Sequence, residues 1–274
     1  MKVFGIDVSN HQGNFNFKKA KEEGVKFVII RGAWGTNKDK KFETYYKQCK
    51  DLGLDVGLYL YSYAQNADEA RQEAEYLYKT CIKGKKYELP IYFDIEDKSQ
   101  TKLSKAVKTD MVKAFCNTLE EKGCWVGVYA SLDWFKNKLN DNELQRYSHW
   151  VAQWSSNCTY KGEGDTLGMW QFGGETNVIR TNRVAGQVCD QNYMLVDYPA
   201  KIKSAGKNGY TKSESNSNQN TKTITLDQVA KKVINGDFKN QPLRTVLLLA
   251  YLKKNKLPYT VKQVQNRVNE LLKK

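Results

Sequence analysis

Apolar runs of strand length recur along the first two thirds of the chain and end in polar residues: Val3–Ser9, Phe27–Arg31, Val56–Tyr63, Leu89–Glu96 and Trp125–Ser131. Between them lie stretches of helical character, Phe17–Glu23, Phe42–Leu52, Ala67–Lys83 and Val107–Lys122, three of them closed by Gly24, Gly53 or Gly84. That alternation predicts β/α units feeding a parallel sheet. After a shorter helical stretch at Leu132–Leu139, strand candidates crowd together at His149–Ser155, Gly168–Phe172 and Val188–Met194, with little room for helices between them. Eight strands, five followed by helices and three joined mainly by loops, define the expected fold class. It is α/β, an irregular TIM-like (β/α)5(β)3 barrel with its chemistry at the strand ends.

The pattern then breaks. Residues 204–222, rich in Ser, Asn, Gly and Lys, offer no apolar face and read as a flexible linker between a barrel at 1–203 and a small domain at 223–274. In the tail, Thr225-Leu-Asp-Gln228 and Thr260-Val-Lys-Gln263 both have capping-box spacing, which announces two helices. A third is expected to begin at Pro242 and to carry the apolar run Val246–Leu252, which suits a buried helix. The expected tail is a three-helix unit.

Composition changes the picture mainly through charge. The formal net charge is +14, and the last 52 residues alone carry 11 basic and 3 acidic side chains. Such a patch attracts polyanions: nucleic acid, anionic lipid, or acidic polymers and glycans. The tail has neither a recognition-helix pattern nor aromatic–basic interleaving, which argues against nucleic acid as the partner. Six cysteines without a C-x-x-C pair, Cys49, Cys81, Cys116, Cys124, Cys158 and Cys189, read as reduced core residues. With two histidines, His11 and His149, no metal centre is expected. The sequence has no G-x-G-x-x-G or P-loop pattern to suggest a nucleotide cofactor, so none is expected. No apolar run reaches 18 residues, so no membrane insertion is expected.

The chemistry concentrates in Leu89-Pro-Ile-Tyr-Phe-Asp-Ile-Glu96. Asp94 and Glu96 are two positions apart, so they face the same way and can address one bond about 6–7 Å along the strand. One carboxyl shielded from water beside another can stay protonated while its neighbour is ionised, the division of labour that glycoside hydrolysis requires. The same pair would also suit a solvated strand end or a divalent cation site. Asp7, in Val3-Phe-Gly-Ile-Asp-Val-Ser9, and Asp190, in Val188-Cys-Asp-Gln-Asn192, end the first and last strands, which adjoin if the barrel closes. Aromatics sit at similar strand ends: Trp34, Tyr61, Tyr63, Tyr129, Trp154, Trp170 and Phe172. Aromatic faces beside carboxylates suit stacking on sugar rings.

These residues, in order, resemble the glycoside hydrolase family 25 lysozymes. The matches are Gly5-Ile-Asp-Val-Ser9 with His11-Gln-Gly13, Phe27-Val-Ile-Ile-Arg-Gly32, Gly57–Tyr63, Phe93-Asp-Ile-Glu96, Trp150-Val-Ala-Gln-Trp154, Trp170-Gln-Phe172 and Asp190-Gln-Asn192. The resemblance implies a peptidoglycan hydrolase that cuts the β-1,4 bond between N-acetylmuramic acid and N-acetylglucosamine. Glu96 would be the general acid and Asp94 the second catalytic carboxylate, with Asp7 and Asp190 orienting substrate and tuning both. Tyr61, Tyr63, Tyr129, Trp154, Trp170, Gln171 and Arg31 would bind the glycan. A chitinase-type glycosidase and a non-catalytic glycan-binding protein are the alternatives. The tail resembles a wall-binding repeat of pneumococcal phage lysins through Ile234, Gly236, Phe238, Asn240 and Arg244, then Tyr259, Val264, Gln265, Val268 and Asn269. Its implied partner is an anionic wall polymer or glycan. The N-terminus, Met1-Lys-Val-Phe-Gly5, shows no apolar signal region. The expectation is therefore a protein made in the host cytoplasm that reaches the bacterial wall once the membrane is permeabilised.

Overall fold

The computed structural model describes residues 2–212, 225–238, 243–254 and 259–273, in two compact units, Met1–Ser217 and Asn218–Lys274. In the first unit eight strands form the barrel: β1 (Val3–Val8), β2 (Phe27–Trp34), β3 (Asp55–Tyr61), β4 (Ile91–Asp94), β5 (Val126–Ser131), β6 (Ser148–Ala152), β7 (Leu167–Gly173) and β8 (Asp190–Met194). Neighbours from β1 through β7 pair in parallel. β8 runs antiparallel to both β7 and β1 and closes the ring. The strand count and the closure agree with the sequence reading, and the five-plus-three division holds with a single helical turn after the fifth strand. The helices after the first four strands are α1 (Phe17–Glu22), α2 (Phe42–Asp51), α3 (Ala67–Leu77) and α4 (Lys105–Glu121). After β5 there is only a short π-type turn, Trp134–Lys138.

Strand alternation divides the apolar residues into two shells. Phe27, Ile29, Tyr92, Tyr129, Trp150, Met169 and Met194 fill the barrel interior. Their sequence neighbours Val28, Ile30, Phe93, Val128, Ala130, Val151 and Trp170 face outward, in the cluster that also holds Ala70, Ala74 and Leu77 of α3 and Met111, Phe115 and Leu119 of α4. Interior aromatics of this size require bare backbone opposite them. A Cβ on Gly168 would lie 1.5 Å from the Tyr198 hydroxyl, and one on Gly127 would lie 2.5 Å from the Tyr92 ring. All six cysteines are free thiols, five of them buried.

The barrel unit continues past the expected boundary at 203. Helix α5 (Tyr198–Ala205) buries Tyr198 and Ile202 in the interior cluster and stops at Gly206 in the left-handed region, φ 64°. Asn208 then sits 1% exposed. Its amide donates to Leu89 O (2.8 Å) and accepts from Trp125 N (2.7 Å), tying the starts of β4 and β5 together. Residues 204–212 are therefore folded rather than linker. Polar composition hid this, because the segment is held by long-range bonds, from the Asn208 side chain and main chain and from Tyr210 to Glu88, and not by an apolar stripe of its own. Residues 213–222 of the expected linker lie outside the described residues.

In the second unit, α6 (Leu226–Ile234), α7 (Leu243–Lys254) and α8 (Val261–Leu271) match the three expected helices, and both expected capping boxes form. Pro242, the expected start of the middle helix, lies outside the described residues. Val229, Val233, Phe238, Leu248, Leu252, Val264 and Val268 make the core. A bidentate pair from Arg267 to Asp227 (2.6 and 3.0 Å) joins α8 to α6. The run Val246–Leu252 is buried only at Leu248 and Leu252. Val246, Leu247 and Leu249 are exposed, because a three-helix unit this small covers one stripe of each helix.

Gly168→Ala is expected to destabilise the barrel by about 1–3 kcal/mol through overpacking. Adding Tyr198→Phe, which deletes the colliding hydroxyl, should recover part of the loss in thermal melts.

Candidate active site

The barrel register brings together acidic groups that are distant in sequence. Asp7 of β1 pairs directly opposite Asp190 of β8. Asp94 ends β4, flanked in register by Tyr61 of β3 and Tyr129 of β5, and Glu96 follows on the same side. All four carboxylates line one cleft of about 250 Å³ at the strand ends, with Arg31, Tyr59, Tyr61, Tyr129, Trp150 and Gln171. A larger cavity of about 380 Å³ opens at the strand starts around Trp125, Ser148 and Tyr198. Of its three acids, Glu120, Glu163 and Asp165, the first and last are paired with Arg146 and Lys201, each at 2.7 Å, so it holds no comparable convergence of carboxylates.

Asp7 is held by two amides. Its Oδ2 accepts from Asn192 Nδ2 (2.7 Å) and Gln171 Nε2 (3.1 Å). Each amide is fixed from behind: Trp150 Nε1 donates to Asn192 Oδ1 (2.8 Å), and Tyr129 Oη and Trp154 Nε1 donate to Gln171 Oε1 (3.1 and 3.0 Å). Arg31 donates through Nε to Asp39 (2.9 Å), a carboxylate that also accepts from the Asn10 and Lys41 amides. The guanidinium thus keeps a defined position in the cleft wall, where its charge partly offsets the field at Asp94.

Burial and mutual repulsion raise all four carboxyl pKa values. Burial is the main cause at Asp7, where the two amide donors work against it and the charge of Glu96 adds to it, and the carboxyl rises to about 6. Asp190 rises to about 8 through burial, then Asp7 and Glu175. Asp94 is driven well above the usual carboxylate range by burial, then by Glu96 and Asp7. Its Oδ1 is buried without a hydrogen-bond partner. Glu96 is open to solvent, yet the enclosing walls, with Asp190 and Asp97, push it up to about 7. The four titrate as a coupled set that still holds protons near neutrality.

Of the expected glycan-binding residues, Arg31, Tyr61, Tyr129 and Gln171 line the cleft. Tyr63 is 48% exposed beside Tyr61, in an adjoining hollow lined also by Trp34. Trp154 is 43% exposed at the rim. A Cβ on Gly174 would meet both its ring and Asp190 Oδ1, so bare backbone is needed between them. Trp170 does not belong to the site. It is 2% exposed in the outer cluster with Phe172, one position out of phase with Gln171, and its Nε1 donates to Gln153 O (2.9 Å). The residues missed were Tyr59, His11, Trp150 and Asn192. Tyr59 has the same strand parity as Tyr61 and could have been found from it. Trp150 and Asn192 act through Asp7, and only the closed barrel shows that contact.

Comparison with known proteins identifies the family and the fold. Residues 6–180 match the family described as Glycosyl hydrolases family 25, and the chain belongs to that family. Among curated relatives, an autolytic lysozyme of Clostridium acetobutylicum is 29% identical over 151 residues, 55% of this chain and 44% of its own length. Lysozyme M1 of Streptomyces globisporus is 25% identical over 195 residues, 67% of this chain and 64% of its own length. In both, the match spans less than two thirds of the relative. The solved structure of a bacterial lysozyme from Streptomyces coelicolor has the same fold, with 23% identity, TM-score 0.63, and coverage of 76% of this chain and 98% of that one.

A carboxyl whose pKa is raised on folding costs no stability well below about pH 4, where it is protonated in both the folded and unfolded states, costs progressively more as pH rises from there to its folded value, and levels off above it. Asp190→Asn is therefore expected to leave the Tm nearly unchanged near pH 3 and to raise it by at least about 2–4 °C near pH 8, the response to roughly 1 kcal/mol or more of relieved burial cost and repulsion. Melting curves at the two pH values check this.

Proposed function

We propose that the barrel is a muramidase: it hydrolyses the β-1,4 bond between N-acetylmuramic acid and N-acetylglucosamine in bacterial peptidoglycan. The observation that carries this reading is the convergence of Asp7, Asp94, Glu96 and Asp190 on one aromatic-rimmed cleft. Glu96, open to the cleft and raised to about 7, is the general acid. Its proton passes to the glycosidic oxygen as the bond to the anomeric carbon breaks. The electron pair stays with that oxygen, and positive charge develops on the ring.

Asp94 is the second catalytic carboxylate. Its unpartnered Oδ1 suits an acetamido N–H of the substrate, whose carbonyl oxygen then bonds to the anomeric carbon in place of the leaving group. Water, giving its proton to the Glu96 carboxylate, opens that ring from the opposite face, with net retention. Asp7 and Asp190 orient the substrate and hold the cluster's shared protons high, while Tyr61, Tyr63 and Trp154 offer faces to the sugar rings and Tyr129 closes the cleft floor. In the second unit, the basic excess of the tail favours an anionic wall polymer as partner. The whole chain then acts as a lytic enzyme on the wall.

Glu96→Gln is expected to lower reducing-end release from purified peptidoglycan by about 10²–10⁴-fold while leaving sedimentation with walls intact; undiminished turnover would remove the mechanism. Because Glu96 must be protonated, the wild-type rate should fall as pH rises through about 7. Chitin oligomers assayed in parallel separate the chitinase reading.

A further inference from the structure

Beneath the rim that carries Tyr61 and Tyr63 lies a buried polar node that the proposed chemistry does not use. Glu73, on the second turn of α3, is 4% exposed, and Gln100, from the segment after β4, is fully buried. Both reach the loop that leads from β3 into α3. Glu73 Oε2 accepts from Ser62 Oγ (2.7 Å) and its Oε1 from Tyr63 N (2.9 Å). Gln100 Nε2 donates to Ser62 O (3.2 Å) and Ala64 O (3.0 Å), and its Oε1 accepts from Asp97 N (3.2 Å). Asp97 in turn accepts from Tyr61 Oη (3.0 Å).

The polarity of these bonds is constrained: Ser62 Oγ accepts from Ala64 N (3.1 Å), which leaves its own proton for Glu73. Both oxygens of Glu73 accept, from donors that are neutral. Burying a carboxylate on such terms is costly unless the acceptors are needed. Gln100 must present its NH2 to two carbonyls and its oxygen to an N–H, so the flipped amide or a glutamate at 100 would set oxygen against oxygen. One amide therefore spans from Asp97, next to Glu96, to the residues on either side of Tyr63, and one carboxylate grips the same loop from the helix behind.

We propose that Glu73 and Gln100 are positioning residues that lock the Tyr63 platform and the Glu96 loop into one rigid body, so that a sugar ring seated on the aromatic rim is held in register with the acid. This rests on the muramidase reading for its consequence, but its structural core is independent of turnover.

Amide hydrogen exchange at fixed pH on the full chain reads that core directly. Glu73→Gln and Gln100→Glu should each speed exchange about tenfold in both segments, 62–66 and 97–101. Exchange that rises in only one of the two segments, or in neither, overturns the proposal. In kinetics on peptidoglycan, Glu73→Gln should raise KM about tenfold, and most of that penalty should vanish when Tyr63 is already Ala, because the two act through one platform. If Glu73→Gln does not fold, Ser62→Ala, which removes one donor, replaces it with the same expectation. Penalties that simply add in the double variant would show that Glu73 supports the fold and not the platform. A wild type inactive on peptidoglycan would refute the muramidase reading, while the exchange result would still decide the node.

Discussion

Everything in the first unit depends on confining four carboxyl groups in one poorly solvated cleft. Like charges at this spacing repel, and each loses hydration on burial, so the barrel must supply enough cohesion to hold them. It does so by geometry. Ring closure through the antiparallel β8 sets Asp190 opposite Asp7, and the aromatic interior beneath the cleft, with Tyr92, Tyr129 and Trp150, leaves the carboxyls nowhere to relax. Repulsion that would merely destabilise a structural site becomes proton retention near neutrality, the property an acid catalyst needs.

The amides around Asp7 show how this arrangement avoids collapse. Asn192 and Gln171 each spend an NH2 on the carboxylate and have their oxygens occupied by indole or phenol donors, so neither can turn its acceptor toward the negative charge. The same logic recurs at Gln100 and Glu73, one layer further from the cleft. In both places hydrogen-bond polarity, not shape alone, fixes the site.

The barrel was legible in the sequence because its signals are local. Alternating apolar runs, glycine stops and paired Asp-x-Glu spacing fix strands, helices and facing, and the crowded strand candidates after residue 149 supply the closing strand on which Asp190 lies. What stayed hidden depends on contacts between distant segments. Trp170 was placed in the site because an aromatic at a strand end carries no mark of which face it takes; only the parity of Gln171, fixed by Asp7, settles it. Asn208 looked like linker because its surroundings are polar, although its side chain closes main-chain bonds at two strand starts. In the second unit the first and last helices could be read from their caps and the middle one from its apolar run. The exposure of Val246 and Leu249 could not, since a run of apolar residues does not state how much core is available to cover it.

The most direct measurement is a carboxyl-carbon NMR titration of the intact protein with Asp and Glu side chains labelled. The account predicts that Glu96 keeps its proton to about pH 7 and that Asp7, Asp94 and Asp190 titrate with it in overlapping, coupled steps above the ordinary carboxylate range. Four independent transitions near pH 4 would show that the groups do not share one shielded cleft, and would contradict it.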